Sequence, residues 1–137
     1  MTAKHIDLQV KKIYFEENIM NEVKVNIFSI VGQKDCTLPE DGDKVHKTIQ
    51  KILKEDKKAS ISFLNVQKLT TAFLNNAIGK LYGEFDETKI KNSLSVQDLS
   101  DSGKARFKRV TTNAKNYFKN PDKMKESIKE ILGEDDE

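Results

Sequence analysis

Ala59–Gly83 reads ASISFLNVQKLTTAFLNNAIGKLYG, and this stretch decides the fold. Ser60 to Val66 is a short apolar run with β-branched and aromatic members, which predicts a buried strand. Gln67 to Leu69 reads as a connection. From Thr71 to Tyr82, the residues Phe73, Leu74, Ala77, Ile78, Leu81 and Tyr82 fall on one wide apolar stripe at helical spacing. Gly83 is placed to end that helix. Gly79 lies inside it, where glycine costs about 1 kcal/mol relative to alanine. Its expected role is therefore to permit close contact between helix and sheet.

Working outward, Val23, Val25 and Ile27 followed by Ser29-Ile30-Val31 predict a strand stopped by Gly32. Gln33 to Gly42 contains Pro39 and Gly42 and reads as a loop, with both glycines as turn residues. Asp43 opens a helical pattern whose face is Val45, Ile49, Ile52 and Leu53. His46 falls on the polar side of that helix. Upstream, His5 to Ile13 alternates in the manner of an edge strand. Downstream, Asp86 to Lys89 reads as a turn and Ile90 to Leu99 as a strand centred on Ser93 to Val96.

Ser100 or Asp101 can cap a third helix carrying Phe107, Val110, Thr111, Ala114, Tyr117 and Phe118 on its inner stripe. Asn120-Pro121 breaks that helix and opens a fourth, whose apolar edge is Met124, Ile128, Ile131 and Leu132. Strands alternating with helices predict an α/β layer with parallel strand pairs. The expectation is one α/β domain over 1–120, with a four-stranded mixed sheet and helices packed on it. A C-terminal helix and acidic tail occupy 121–137.

The totals agree with one soluble domain. The chain has 137 residues, enough for a single core, and 34% charged against 36% hydrophobic residues leaves a well-solvated surface. A net charge of +2 does not by itself indicate a nucleic-acid or membrane partner. No apolar run reaches the roughly 20 residues that span a bilayer. The beginning, MTAKHIDLQVKK, lacks the apolar core of a secretory signal, and the single Cys36 allows no intrachain disulfide. A reducing cytoplasm is the expected setting.

The element order, together with Ile61-Ser62-Phe63, Val66, Thr70-Thr71-Ala72-Phe73-Leu74 and Gly79-Lys80-Leu81, resembles the STAS fold of sulfate transporters and anti-sigma-factor antagonists. It is most similar to the STAS-like domain family of unknown function, from about Lys24 to Tyr117. The family pattern is a strand ending in a D-F-like pair, a short G-V-like connection, and small hydroxyl residues before Phe. Ser62 stands where an acidic residue is usual, and Ala72 replaces a hydroxyl. In the phosphorylated antagonists the corresponding turn is Asp-Ser-Ser-Gly. Carried over by position, Thr71 would be the acceptor, Thr70 would occupy the aspartate position and Phe73 the glycine position. The resemblance implies a bacterial regulatory module that docks on a protein partner, a histidine-kinase-like ATPase or another regulator.

Each candidate site has two readings. Thr70 and Thr71 supply either a helix cap, worth about 1 kcal/mol, or a phosphorylation switch that changes a docking surface at Val66 to Asn76. Asn75 and Asn76, adjacent in a helix, are either solvated or in contact with a partner. Lys104 to Lys125 holds eight basic residues against Asp122, among them Lys104, Arg106, Lys108, Arg109 and Lys115. That segment is either the wet face of a helix with a buried aromatic stripe or an anion-binding surface for nucleic acid. Glu126 to Glu137 carries six acids against Lys129. It is a solubilising tail, or it masks the basic helix, or it pairs with a second copy in a homodimer. His5, His46 and Cys36 show no metal-ligand spacing, and no glycine-rich phosphate loop or catalytic triad is present. The sequence therefore predicts no cofactor, no metal and no catalysis.

Overall fold

A computed structural model describes residues 21–119. The expected strand at His5 to Ile13, the helix over Met124 to Leu132 and the acidic tail lie outside the described residues. Within them the chain is α/β, with strand β1 (Glu22–Asn26), helix α1 (Ile27–Val31), β2 (Asp35–Cys36), α2 (Pro39–Lys54), β3 (Lys58–Ser62) and β4 (Lys68–Leu69). Then follow α3 (Thr71–Ala77), a 3-10 helix (Gly79–Gly83), α4 (Glu87–Ser93), β5 (Leu94–Gln97) and α5 (Asp101–Lys119).

Among the described residues the strands form two parallel groups and no mixed four-stranded sheet. One group has the order β1-β3-β5, with Val25 opposite Ile61 and Ile61 opposite Val96. The other pairs β2 with β4. Parallel neighbours need a crossover, and α2 supplies it between β1 and β3. The central strand β3 buries Ala59, Ser60 and Ile61 in succession, as a strand covered on both faces must.

The elements differ from expectation in six places. The predicted strand through Val31 ends at Asn26, whose Oδ1 accepts from the Ser29 N–H at 2.9 Å and starts α1. Gly32, at φ 85°, closes that helix with its N–H on the Phe28 carbonyl. Helix α2 begins at Pro39, ahead of Asp43, because proline fits the first helical position. The segment 33–42, expected as loop, also holds β2. Strand β3 stops at Ser62, since Phe63 to Val66 makes a turn with Asn65 at φ 71°. The single expected helix over Thr71–Tyr82 divides at Ile78 into α3 and the tighter 3-10 turn. Finally, Glu87–Ser93 is helical where a turn and strand were expected, and β5 is confined to Leu94–Gln97.

The core follows the predicted stripes. Val45, Ile49, Ile52 and Leu53 of α2 are buried with Phe73, Leu74, Ala77, Ile78 and Leu81. Each fully buried aliphatic or Phe side chain contributes about 1.5–3 kcal/mol. Helix α5 closes the layer with Val110, Thr111 and Ala114 buried, while Phe118 at its end remains 43% exposed. No helix among the described residues is long and apolar enough to cross a membrane.

Two glycines exchange the roles the sequence suggested. Gly42 is no turn residue: it lies within α2, and a Cβ there would meet the Phe73 carbonyl at 2.5 Å. Gly79 has room, its nearest neighbours being Ala114, Asn75 and Val110 at 3.7 Å. The close approach is thus between two helices, α2 and α3, and Gly42 permits it. His46 also departs from expectation. It is buried at 8% exposure, and its Nε2 lies 2.8 and 3.0 Å from the carboxylate oxygens of Glu84.

Candidate functional site

Strands β3, β4 and β5 of the two parallel groups end in the connections that carry the candidate residues. Ligands of open parallel sheets bind beyond the carboxyl ends of the strands, so this edge is the place to examine. Thr70 follows β4 directly and has extended backbone at φ −99°, ψ 158°. Its Oγ1 accepts from the Phe73 N–H at 3.2 Å and donates to the Thr37 carbonyl at 3.0 Å. Its own N–H reaches the Cys36 carbonyl at 3.1 Å. Thr70 is therefore the cap of α3 and a tie between the two strand-to-helix connections. Thr71, one residue on, is exposed.

The two asparagines separate in the same way. Asn76 donates from Nδ2 to the Pro39 carbonyl at 3.2 Å and to Asp43 Oδ1 at 3.1 Å, joining α3 to the start of α2. Lys80 reaches the same Asp43 oxygen at 2.7 Å. The Lys80 hydrogen bond, with help from the Asn76 amide, holds the Asp43 carboxyl below its ordinary range. Asn75 is exposed on the Thr71 side of the helix, four residues later.

The basic residues of α5 do not act as one patch. Arg106 is half-buried and donates from Nη1 to the Leu69 carbonyl at 2.7 Å, bracing the peptide just before the Thr70 cap. Lys115 lies 3.6 Å from Glu87 and 5.9 Å from the Tyr82 ring centre. Lys104, Lys108 and Arg109 are exposed. Their neighbours Lys123 and Lys125 fall outside the described residues. Ser100, not Asp101, caps α5, with its Oγ accepting from the Gly103 N–H at 3.1 Å.

Two features of the edge were not visible as site signals. Ser62, which stands where the family pattern is acidic, donates from Oγ to Asp98 Oδ2 at 2.8 Å and accepts from the Leu64 N–H at 3.2 Å. The carboxylate missing from the strand end is supplied from the next connection, by a residue at φ 64° that aspartate tolerates. Leu38 and Leu64 are 49% and 54% exposed, making them two of the three exposed large hydrophobic side chains among the described residues. Leu38 adjoins Thr37, the partner of Thr70, and Leu64 lies in the turn after β3. Between this turn and the start of α5 is a cavity of about 50 Å³ lined by Phe63, Leu69, Leu99 and Arg106.

Cys36 lies fully buried in β2. Burial, followed by the charges of Asp41 and Asp35, pushes its thiol up to about 11. Among the described residues no group of three or more His, Cys, Asp or Glu side chains could hold a metal ion.

No curated protein and no solved structure matches the chain. The family model of the STAS-like domain of unknown function (DUF4325) matches residues 41–104, from the first turn of α2 to the first turn of α5. That match takes in the Thr70 cap, the Ser62–Asp98 pair and the central strand. Residues 41–104 thus match a STAS-like domain of unknown function, and the edge just described falls within the match except for Thr37, Leu38 and Arg106.

Proposed function

We propose that this domain is a non-enzymatic protein-interaction module of regulatory type, an adaptor or antagonist that docks through the start of α3 and the turns beside it. The observation that carries the reading is the placement of Leu38 and Leu64. Two exposed leucines stand in the connections that follow β2 and β3, and the start of α3 is fixed by Thr70 to the Thr37 carbonyl and by Arg106 to the Leu69 carbonyl. A rigid edge with exposed apolar side chains is economical for binding, because little conformational entropy is lost on docking. Thr71 and Asn75 supply its polar contacts; Thr70 and Asn76 hold it in shape.

The resemblance to anti-sigma-factor antagonists directs the choice of partner to a histidine-kinase-like ATPase or another regulator in the cytoplasm. Thr71 is the exposed hydroxyl of the pair, so it is the acceptor if that partner phosphorylates the edge. Nucleic-acid binding by α5 finds less support, since Arg106 and Lys115 are engaged within the domain. The test is calorimetric titration of the protein with the ATPase encoded beside its gene. Leu64→Asp and Thr71→Glu should each weaken the complex at least about tenfold, or ~1.4 kcal/mol. A complex equally tight in both variants would remove this surface from consideration.

A further inference from the structure

A second surface lies at the far end of α5, away from the Thr70 cap in sequence and unconnected with the docking reading. There Tyr82, Phe85 and Phe118 line a groove of about 210 Å³ whose polar wall is Glu87 with Lys115 and Lys119. Phe118 is 43% exposed, the third exposed large hydrophobic side chain among the described residues. Its ring is packed so closely over Gly83 that a Cβ there would stand 2.5 Å from it. Tyr117 meets the same ring edge to face at 4.9 Å between centres. The aromatic wall is thus set in place while one side of it remains open.

We propose that residues 120–137 of the same chain cover this groove, laying Met124, Ile128 and Leu132 on Tyr82, Phe85 and Phe118. Three observations favour this occupant. Lys119, which lines the groove, is the last described residue, so the next 18 residues start at its mouth. Those residues carry apolar side chains at 124, 128, 131 and 132, spaced to make one face, and Asn120-Pro121 allows the chain to change direction there. From Glu126 to Glu137 they carry six acids against Lys129, opposite in sign to the exposed cations of α5, Lys104, Lys108 and Arg109.

Size argues against a second copy as occupant. A stable interface buries about 800 Å² on each partner, far beyond a groove with three aromatic rings. A tethered segment needs less, because a short linker sets an effective concentration of the order of millimolar.

The test uses the full chain with Ser127→Cys carrying a nitroxide label. The native Cys36 does not compete for the reagent, being buried with its thiol pushed up to about 11. Amide signals of Tyr82, Glu87 and Lys115 should be lost in the oxidised sample and recovered on reduction. They should return in an oxidised Ile128→Asp, Leu132→Asp variant of the labelled chain, which leaves the described domain untouched. Signals unaffected by the label would overturn the proposal. So would signals lost only when labelled chain is mixed with isotopically enriched, unlabelled chain, which would assign the groove to a second copy.

Discussion

Gly42→Ala and Gly79→Ala make the same chemical change in neighbouring elements, yet the structure predicts effects of opposite sign. At position 42 the new methyl would stand 2.5 Å from the Phe73 carbonyl oxygen, 3.0 Å from Asn76 Cβ and 3.2 Å from the Ala77 nitrogen. Two of these are backbone atoms of α3, so no side-chain rotation relieves the overlap and the helices must part. Forcing extra volume into a packed contact costs typically about 1–3 kcal/mol, and a backbone neighbour places this case at the upper end. Alanine regains about 1 kcal/mol of helix propensity. The expected net loss is about 2 kcal/mol.

At position 79 the nearest atoms are all at 3.7 Å, ordinary contact distance, and φ lies outside the left-handed region. There alanine restricts the unfolded chain and touches Ala114 and Val110 favourably. The expected gain is about 0.4–1 kcal/mol. Urea unfolding followed by circular dichroism measures both. With a slope of about 2 kcal/mol per molar, the Gly42→Ala midpoint should fall by roughly 1 M and that of Gly79→Ala should rise slightly. A Gly42→Ala midpoint at or above that of the parent, with Gly79→Ala below it, would refute the assignment of the close contact to α2 and α3.

The Thr70 and Thr71 pair should divide stability from surface. Thr70→Ala removes the cap and leaves the Thr37 carbonyl without its donor, for an expected loss of about 1–3 kcal/mol, whereas Thr71→Ala should stay within about 0.5 kcal/mol in the same assay. The Cys36 thiol should be nearly inert to iodoacetamide in the folded protein at neutral pH. A raised pKa keeps it protonated until the pH approaches about 11, so labelling, read by mass spectrometry, should rise with pH and become rapid in denaturant.

The apolar stripes were legible because burial has a period. Phe73, Leu74, Ala77, Ile78 and Leu81 are buried as the spacing required, and so are Val45, Ile49 and Leu53. What the sequence could not show was set by contacts distant along the chain. Val23 to Val31 reads as an unbroken strand because Ile27, Ile30 and Val31 suit a strand as well as a short helix; the Asn26 cap and the left-handed Gly32 decide for the helix. Gly42 looked like a turn glycine since nothing local reveals that Phe73, some thirty residues on, passes over it. His46 looked solvated because its partner Glu84 is 38 residues away. The division of Thr71–Tyr82 at Ile78 leaves the apolar pattern intact while changing the hydrogen bonding, so periodicity alone does not report it.

The candidate site shows the same division between what is local and what is not, and it governs how any binding measurement on this domain must be read. Thr70, Asn76 and Arg106 are among the polar residues that the sequence offers for recognition. In the fold their groups donate to the carbonyls of Thr37, Pro39 and Leu69 and so tie neighbouring connections together. Substituting any of them shifts the edge itself, so a lost partner would report a changed backbone before it reported a lost contact. Leu38, Leu64, Thr71 and Asn75 are exposed, and their replacement leaves those ties in place. The docking reading is therefore decided by the second set alone. A partner sensitive to Thr70→Ala and indifferent to Leu64→Asp and Thr71→Glu would recognise some other face of the domain through a folding defect at this one.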